Sequence, residues 1–152
     1  MRRPKRRSPG LEAYDYATEG AYFVTVCSAG RLCIFGEVVD SDVRLSPAGE
    51  VVASEWREIG IRWGTVSLDV FVVMPNHLHG IVWLHGAGQD PPLPTVVGPF
   101  KSGASRKVGR PIWQRSFHDR VIRGDEELTA IRRYTIENPL RWAQDRENPG
   151  YM

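Results

Sequence analysis

Read for the spacing of its apolar side chains, the chain breaks into alternating extended and helical stretches. Ala21 to Cys27 (AYFVTVC) is aromatic and β-branched and lies between Gly20 and a Ser28-Ala29-Gly30 turn, which predicts a strand buried on at least one face. Ile34 to Val39 is a second extended stretch, expected to pair beside the first. Ser46 followed by Pro47, with Glu50 near the first turn, signals a helix start. Val51, Val52, Ile59 and Trp63, with Ala48, Glu55 and Trp56 between them, approximate the helical period until Gly64 stops it. Leu68 to Met74 and His77 to Leu84 are apolar runs punctuated by Pro75 and Asn76, the mark of a hairpin. Gly86 to Pro94 reads as a loop, and Val96 to Lys107 as a short helix weakened by Gly98, Pro99 and Gly103. Arg115 to Ile122 is expected as a last strand. Gly124 and Asp125 then open a helix that carries Glu126 and Glu127 in its first turn and ends at Pro139. This order predicts an α+β fold, a mainly antiparallel sheet with helices over one face, and shows no internal repeat.

A length of 152 residues suits one compact domain. The reading is a basic, flexible arm over 1–13, a single domain over 14–145 and a tail over 146–152. Apolar and charged fractions of 41% and 25% fit a soluble globular protein. No stretch approaches the roughly 20 apolar residues of a membrane helix. The basic start leads into Leu11, Glu12 and Ala13 rather than an apolar secretory core, so the cytoplasm is the expected compartment. Cys27 and Cys33 have neither disulfide-framework nor zinc-ribbon spacing and read as reduced and structural.

A net charge of +2 says little as a sum, but its distribution changes the picture. Arg2, Arg3, Lys5, Arg6 and Arg7 form an acid-free leading run. Lys101, Arg106, Lys107, Arg110, Arg115, Arg120 and Arg123 stand against the single acid Asp119 between Pro99 and Arg123. These two regions are candidate phosphate-binding surfaces. The leading run reads equally well as a solvated tail.

On a strand, side chains two apart share a face, so His77 and His79 can converge on one metal ion while Leu78 points the other way. Two satisfied core histidines would give the same pattern. Tyr134 and Asn138 are four apart on the last helix and share its face, although Pro139 disfavours a fully helical conformation at Asn138. Tyr134 could also be a core aromatic beside Leu128 and Ile131. A phenol needs help to attack a phosphodiester, and a divalent cation that polarises the phosphate supplies it. His85 and His118 show no partner at a recognisable spacing and read as surface or structural. Neither a GxxxxGK phosphate loop nor a GxSxG nucleophile elbow is present.

Taken in order, FVVMPNHLHGIV (Phe71 to Val82), WQRSFHDRVIR (Trp113 to Arg123) and RRYTIENP (Arg132 to Pro139) resemble the IS200-like transposase superfamily, in particular its repeat-associated tyrosine transposases. The likeness runs from about Tyr14 to Asn138, includes the YFVTVC strand, and extends to the arginine-rich lead-in. It implies a ferredoxin-like core, with His77 and His79 as ligands of Mg2+ or Mn2+. It also implies a single nucleophilic tyrosine at Tyr134, a position that Tyr14, Tyr16, Tyr22 and Tyr151 do not match. Asn138 falls where the insertion-sequence branch has a glutamine as third ligand. The implied activity is cleavage and rejoining of single-stranded or hairpin DNA through a 5′-phosphotyrosine, by a monomer or a homodimer. Two alternatives stay open: a hairpin-DNA-binding protein without catalysis, and a metal-dependent hydrolase that uses only His77 and His79 with water as nucleophile.

Overall fold

The computed structural model describes residues 20–86, 91–145 and 148–149. Arg2, Arg3, Lys5, Arg6, Arg7, Tyr14, Tyr16 and Tyr151 lie outside the described residues. Within them run β1 (Gly20–Cys27), β2 (Gly36–Val39), β3 (Asp42–Leu45), α1 (Pro47–Arg62), β4 (Val66–Met74), β5 (His77–Leu84), α2 (Leu93–Val108), β6 (His118–Val121) and α3 (Asp125–Glu137). Four strands form one antiparallel sheet in the order β4-β5-β1-β6. Without the β2–β3 insertion, the path β1-α1-β4-β5-α2-β6 is the ferredoxin-like arrangement, which places β5 and β1 at the centre of the sheet.

Both central strands are apolar on both sides, so both faces of the sheet need cover. Val24 and Val26 of β1 join Leu78, Val82 and Leu84 of β5 in a core closed by Val52, Trp56 and Ile59 of α1 and Val96, Val97 and Phe100 of α2. The alternate residues Ala21, Ile81 and Trp83 pack on the other face against Ile122 and against Leu128 and Ile131 of α3. The expectation of helices over one face therefore holds for α1 and α2 and fails for α3, which covers the side that carries His77 and His79. Among the described residues no helix is long and apolar enough to cross a membrane.

Three local expectations are corrected. Gly36–Val39 does not lie beside β1, whose two edges are taken by β5 and β6; it pairs instead with Asp42–Leu45 in a separate ribbon. That ribbon turns at Asp40 and Ser41, both at positive φ (52° and 68°), the backbone signature of a tight hairpin turn. Next, α2 starts at Leu93 and runs unbroken past Gly98, Pro99 and Gly103. Pro99 forfeits one backbone hydrogen bond, but Val96, Val97, Phe100 and Ala104 are fully buried around it. Gly103 is where α1 and α2 approach closely: a Cβ there would stand 2.5 Å from Glu55 Oε1, and Glu55 is ion-paired with Lys107. Finally, the last strand is His118–Val121 rather than Arg115–Ile122, because the Lys101 ammonium gathers the carbonyls of Gln114 (2.9 Å), Arg115 (3.1 Å) and Ser116 (3.4 Å) into a turn.

Candidate metal centre and nucleophile

Strand geometry alone aims the two imidazoles. His77 and His79 face α3 with ring centroids 4.4 Å apart, and Leu78 between them is buried in the opposite core. Both rings are buried, at 0% and 5% exposure. Each is held by a partner at Nδ1: His77 by Asn76 Oδ1 at 2.8 Å, and His79 by Thr25 Oγ1 at 2.9 Å, with Phe23 stacked on His79 at 5.0 Å. The Asn76 amide nitrogen donates to the Arg31 carbonyl (3.3 Å), which turns its oxygen toward His77 and fixes the proton of that ring on Nδ1. The outward nitrogen of His77 is then a bare lone pair.

Three buried polar atoms meet here without a hydrogen-bond partner: His77 Nε2, His79 Nε2 and Asn138 Oδ1. Orphaned buried acceptors are costly unless something positive satisfies them. Burial pushes His77 down to about 4, against the opposing pull of the Asp145 charge and the nearby Asn138 amide, while the Arg31 charge pushes the same way as burial. Burial, and then the charge of His77, hold His79 well below the ordinary imidazole value. Both rings are therefore neutral near pH 7, the form that ligates metals. Among the described residues no group of three His, Cys, Asp or Glu side chains could hold a metal ion; the donor set is two imidazoles and an amide carbonyl. With Nδ1 of each ring tied to an oxygen partner, that set fits a divalent cation.

Asn138 reaches the histidines because it keeps helical angles (φ −56°, ψ −43°) in spite of Pro139. A 3-10 segment over Pro139–Gln144 then folds the chain back, so that Asp145 Oδ2 accepts from Asn138 Nδ2 at 3.1 Å. Tyr134, one turn before Asn138, has its ring centroid 5.6 Å from that of His79 and meets Phe23 edge-on at 6.1 Å. It is 41% exposed, so it is no core aromatic. Tyr22 packs on the α1/α2 side of the sheet instead. A cavity of about 570 Å3 opens in front of Tyr134, His79 and Asn138. The turn of α3 that sets this juxtaposition is fixed by Arg132, whose guanidinium grips Asp69 of β4 in a fork of 3.0 and 2.7 Å.

The same cavity is lined by Thr25, His118, Arg141 and Asp145, none of which the sequence reading placed there. Along the sequence His118 has no partner at a recognisable spacing. It lies directly across from Thr25 in the β1–β6 register, and residues directly opposite in an antiparallel pair share a face. Only strand pairing brings it in, and no spacing motif marks it. Of the basic residues singled out for phosphate, Arg106 and Arg115 are exposed, whereas Lys101 is engaged with backbone carbonyls and Lys107 with Glu55.

No protein-family model matches the chain. An uncharacterized protein of Haemophilus influenzae is 32% identical over 164 aligned positions, which cover 92% of this chain and 91% of the relative. The chain belongs to the family of this protein. Among solved structures, a REP-associated tyrosine transposase bound to a REP hairpin superposes with a TM-score of 0.65 at 19% identity, over 84% of this chain and 70% of that one. A Deinococcus radiodurans protein assigned as a transposase gives 0.53 at 18% identity, over 85% of this chain and 95% of that one. The α+β fold implied by the resemblance is thus the fold of these structural neighbours.

Proposed function

We propose that the chain is a tyrosine transposase of single-stranded DNA, an endonuclease and strand transferase. The observation that carries this reading is the convergence of three buried polar atoms without a hydrogen-bond partner, His77 Nε2, His79 Nε2 and Asn138 Oδ1, beside the half-exposed phenol of Tyr134. The two histidines and Asn138 would hold Mg2+ or Mn2+; imidazole donors suit Mn2+ better than Mg2+, which prefers oxygen. When bound, the cation supplies charge neutralisation and orientation of the scissile phosphate. Tyr134 Oη attacks phosphorus and loses its proton to solvent; the new O–P bond forms as the P–O3′ bond breaks, and the leaving O3′ takes up a proton from solvent. The products are a 5′-phosphotyrosine and a strand ending in a 3′-hydroxyl, and attack by such a hydroxyl reverses the step and rejoins DNA. Thr25 and Asn76 keep the imidazoles aimed, and Phe23 keeps water from one side of His79. Donors and phenol all belong to one chain, so one copy carries a complete set.

The fold neighbour bound to a REP hairpin supports folded single-stranded DNA as the substrate class. Arg106 and Arg115, with the leading run Arg2 to Arg7, would track the backbone electrostatically. The test is a labelled hairpin oligonucleotide with Mn2+, read as a protein-DNA adduct that survives denaturation. Tyr134→Phe should abolish the adduct and keep hairpin affinity. If the unaltered protein binds the hairpin without ever forming an adduct, it is a binding protein. Strand cleavage that persists in Tyr134→Phe makes water the nucleophile.

A further inference from the structure

We propose that Asp145 is a positioning residue of the metal centre: its carboxylate holds the Asn138 amide so that the carbonyl, and not the NH2, faces His77 and His79. The inference rests on the metal-binding reading above and adds a residue to it.

An asparagine amide has two ends of nearly the same shape and opposite chemistry. Turned one way at this site, it offers an acceptor to a cation. Turned the other way, it donates N–H to a bare imidazole nitrogen and closes the site with a neutral hydrogen bond. Asn138 is 2% exposed, so water cannot arbitrate between the two, and some neighbour must. That neighbour is Asp145, whose Oδ2 accepts a hydrogen bond from Asn138 Nδ2 at 3.1 Å. An ionised carboxylate only accepts, so it cannot bind the carbonyl end of the amide. The unpartnered Asn138 Oδ1 is the complementary half of the same choice. The fold brings the two together by a specific device: the 3-10 segment Pro139–Gln144 reverses the chain, with Asp145 N bonded back to the Trp142 carbonyl at 3.0 Å and the Trp142 ring 6.3 Å from His77. Asp145 also lines the cavity shared by Tyr134 and His79.

Mn2+ affinity of the full chain without DNA, measured by calorimetry, tests this. Asp145→Ala should weaken Mn2+ by about 10–100-fold, the usual cost of losing an outer-shell partner. Asp145→Asn, whose carbonyl still accepts from Asn138, should recover most of that loss. In an Asn138→Ala background, Asp145→Ala should weaken Mn2+ no further, because its effect runs through the amide. Unchanged affinity in Asp145→Ala overturns the proposal, and so does an undiminished effect in the Asn138→Ala background, which would make Asp145 act directly on the ion. If the unaltered protein and a His77→Ala variant take up Mn2+ equally poorly, the metal-binding reading itself fails. A His77-dependent site indifferent to Asp145 removes only the present inference. Urea melts of each variant check that the fold is retained.

Discussion

Replacing Asp69 with alanine should loosen α3 from the sheet at a substantial cost in stability. The carboxylate is 7% exposed and takes four hydrogen bonds: Arg132 Nε (3.0 Å), Arg132 Nη2 (2.7 Å), Trp83 Nε1 (3.0 Å) and Val70 N (2.8 Å). Removing it leaves the indole N–H of Trp83, itself 1% exposed, and a guanidinium that is only 26% exposed without their acceptor. Breaking a buried pair of this kind costs about 3–5 kcal/mol, and the partial exposure of Arg132 argues for the lower end, about 3 kcal/mol. With a urea dependence of about 2 kcal/mol per molar, the midpoint should fall by roughly 1.5 M. The site should suffer as well, because Arg132 sets the rotation of α3 two residues before Tyr134, so the phenol loses its aim and adduct formation falls with stability. The pH dependence has a definite sign. Burial raises the Asp69 carboxyl, but the bonds from Arg132, Trp83 and Val70 and the Arg132 charge outweigh it, and the group ends below its ordinary value. Its contribution is therefore complete above the unfolded carboxylate pKa and is lost as pH falls through the lowered folded value, so the two proteins should converge in strong acid. Urea melts followed by tryptophan fluorescence at several pH values decide the matter. A midpoint shift below about 0.5 M near neutral pH would refute the claim that this carboxylate ties α3 to the sheet.

Because burial holds His77 at about 4 against an ordinary 6.5, the unfolded chain takes up a proton on acidification before the folded chain does. Stability should fall by about 2 kcal/mol between neutral pH and about pH 5 through this ring, and the same melts on His77→Gln should show a flatter profile. Gly80→Ala should destabilise by about 1–3 kcal/mol in thermal denaturation, since its Cβ would sit 2.8 Å from Trp56 Cζ2 and 3.0 Å from Phe71 Cβ; an unchanged midpoint would mean that this packing gives way freely. Lys101→Met should lower stability by about 1 kcal/mol once solvent screening is allowed for, while leaving the salt dependence of hairpin binding intact, because the ammonium is engaged with backbone carbonyls. Arg115→Ala should do the reverse and reduce the slope of log affinity against log salt by about one.

Spacing along the chain was enough to find what is local. Alternation on β5 put His77 and His79 on one face, the helical period put Tyr134 and Asn138 on another, and the strand–helix order gave the α+β class, because each depends only on neighbours along the backbone. The separate β2–β3 ribbon, the unbroken α2 and the short β6 were not legible. They are decided by which strand edges are already taken, by how much apolar surface surrounds Pro99, and by one ammonium gathering three carbonyls. What tertiary structure alone decided is the meeting of the two halves of the site. Residues more than fifty positions apart in sequence come together because α3 crosses the free face of a sheet that is apolar on both sides, and because the Asp69–Arg132 fork fixes how far that helix is rotated. His118 and Asp145 join them through strand register and a reversed turn. Neither leaves a trace in spacing, since both contacts depend on where the chain returns and not on the residues beside them.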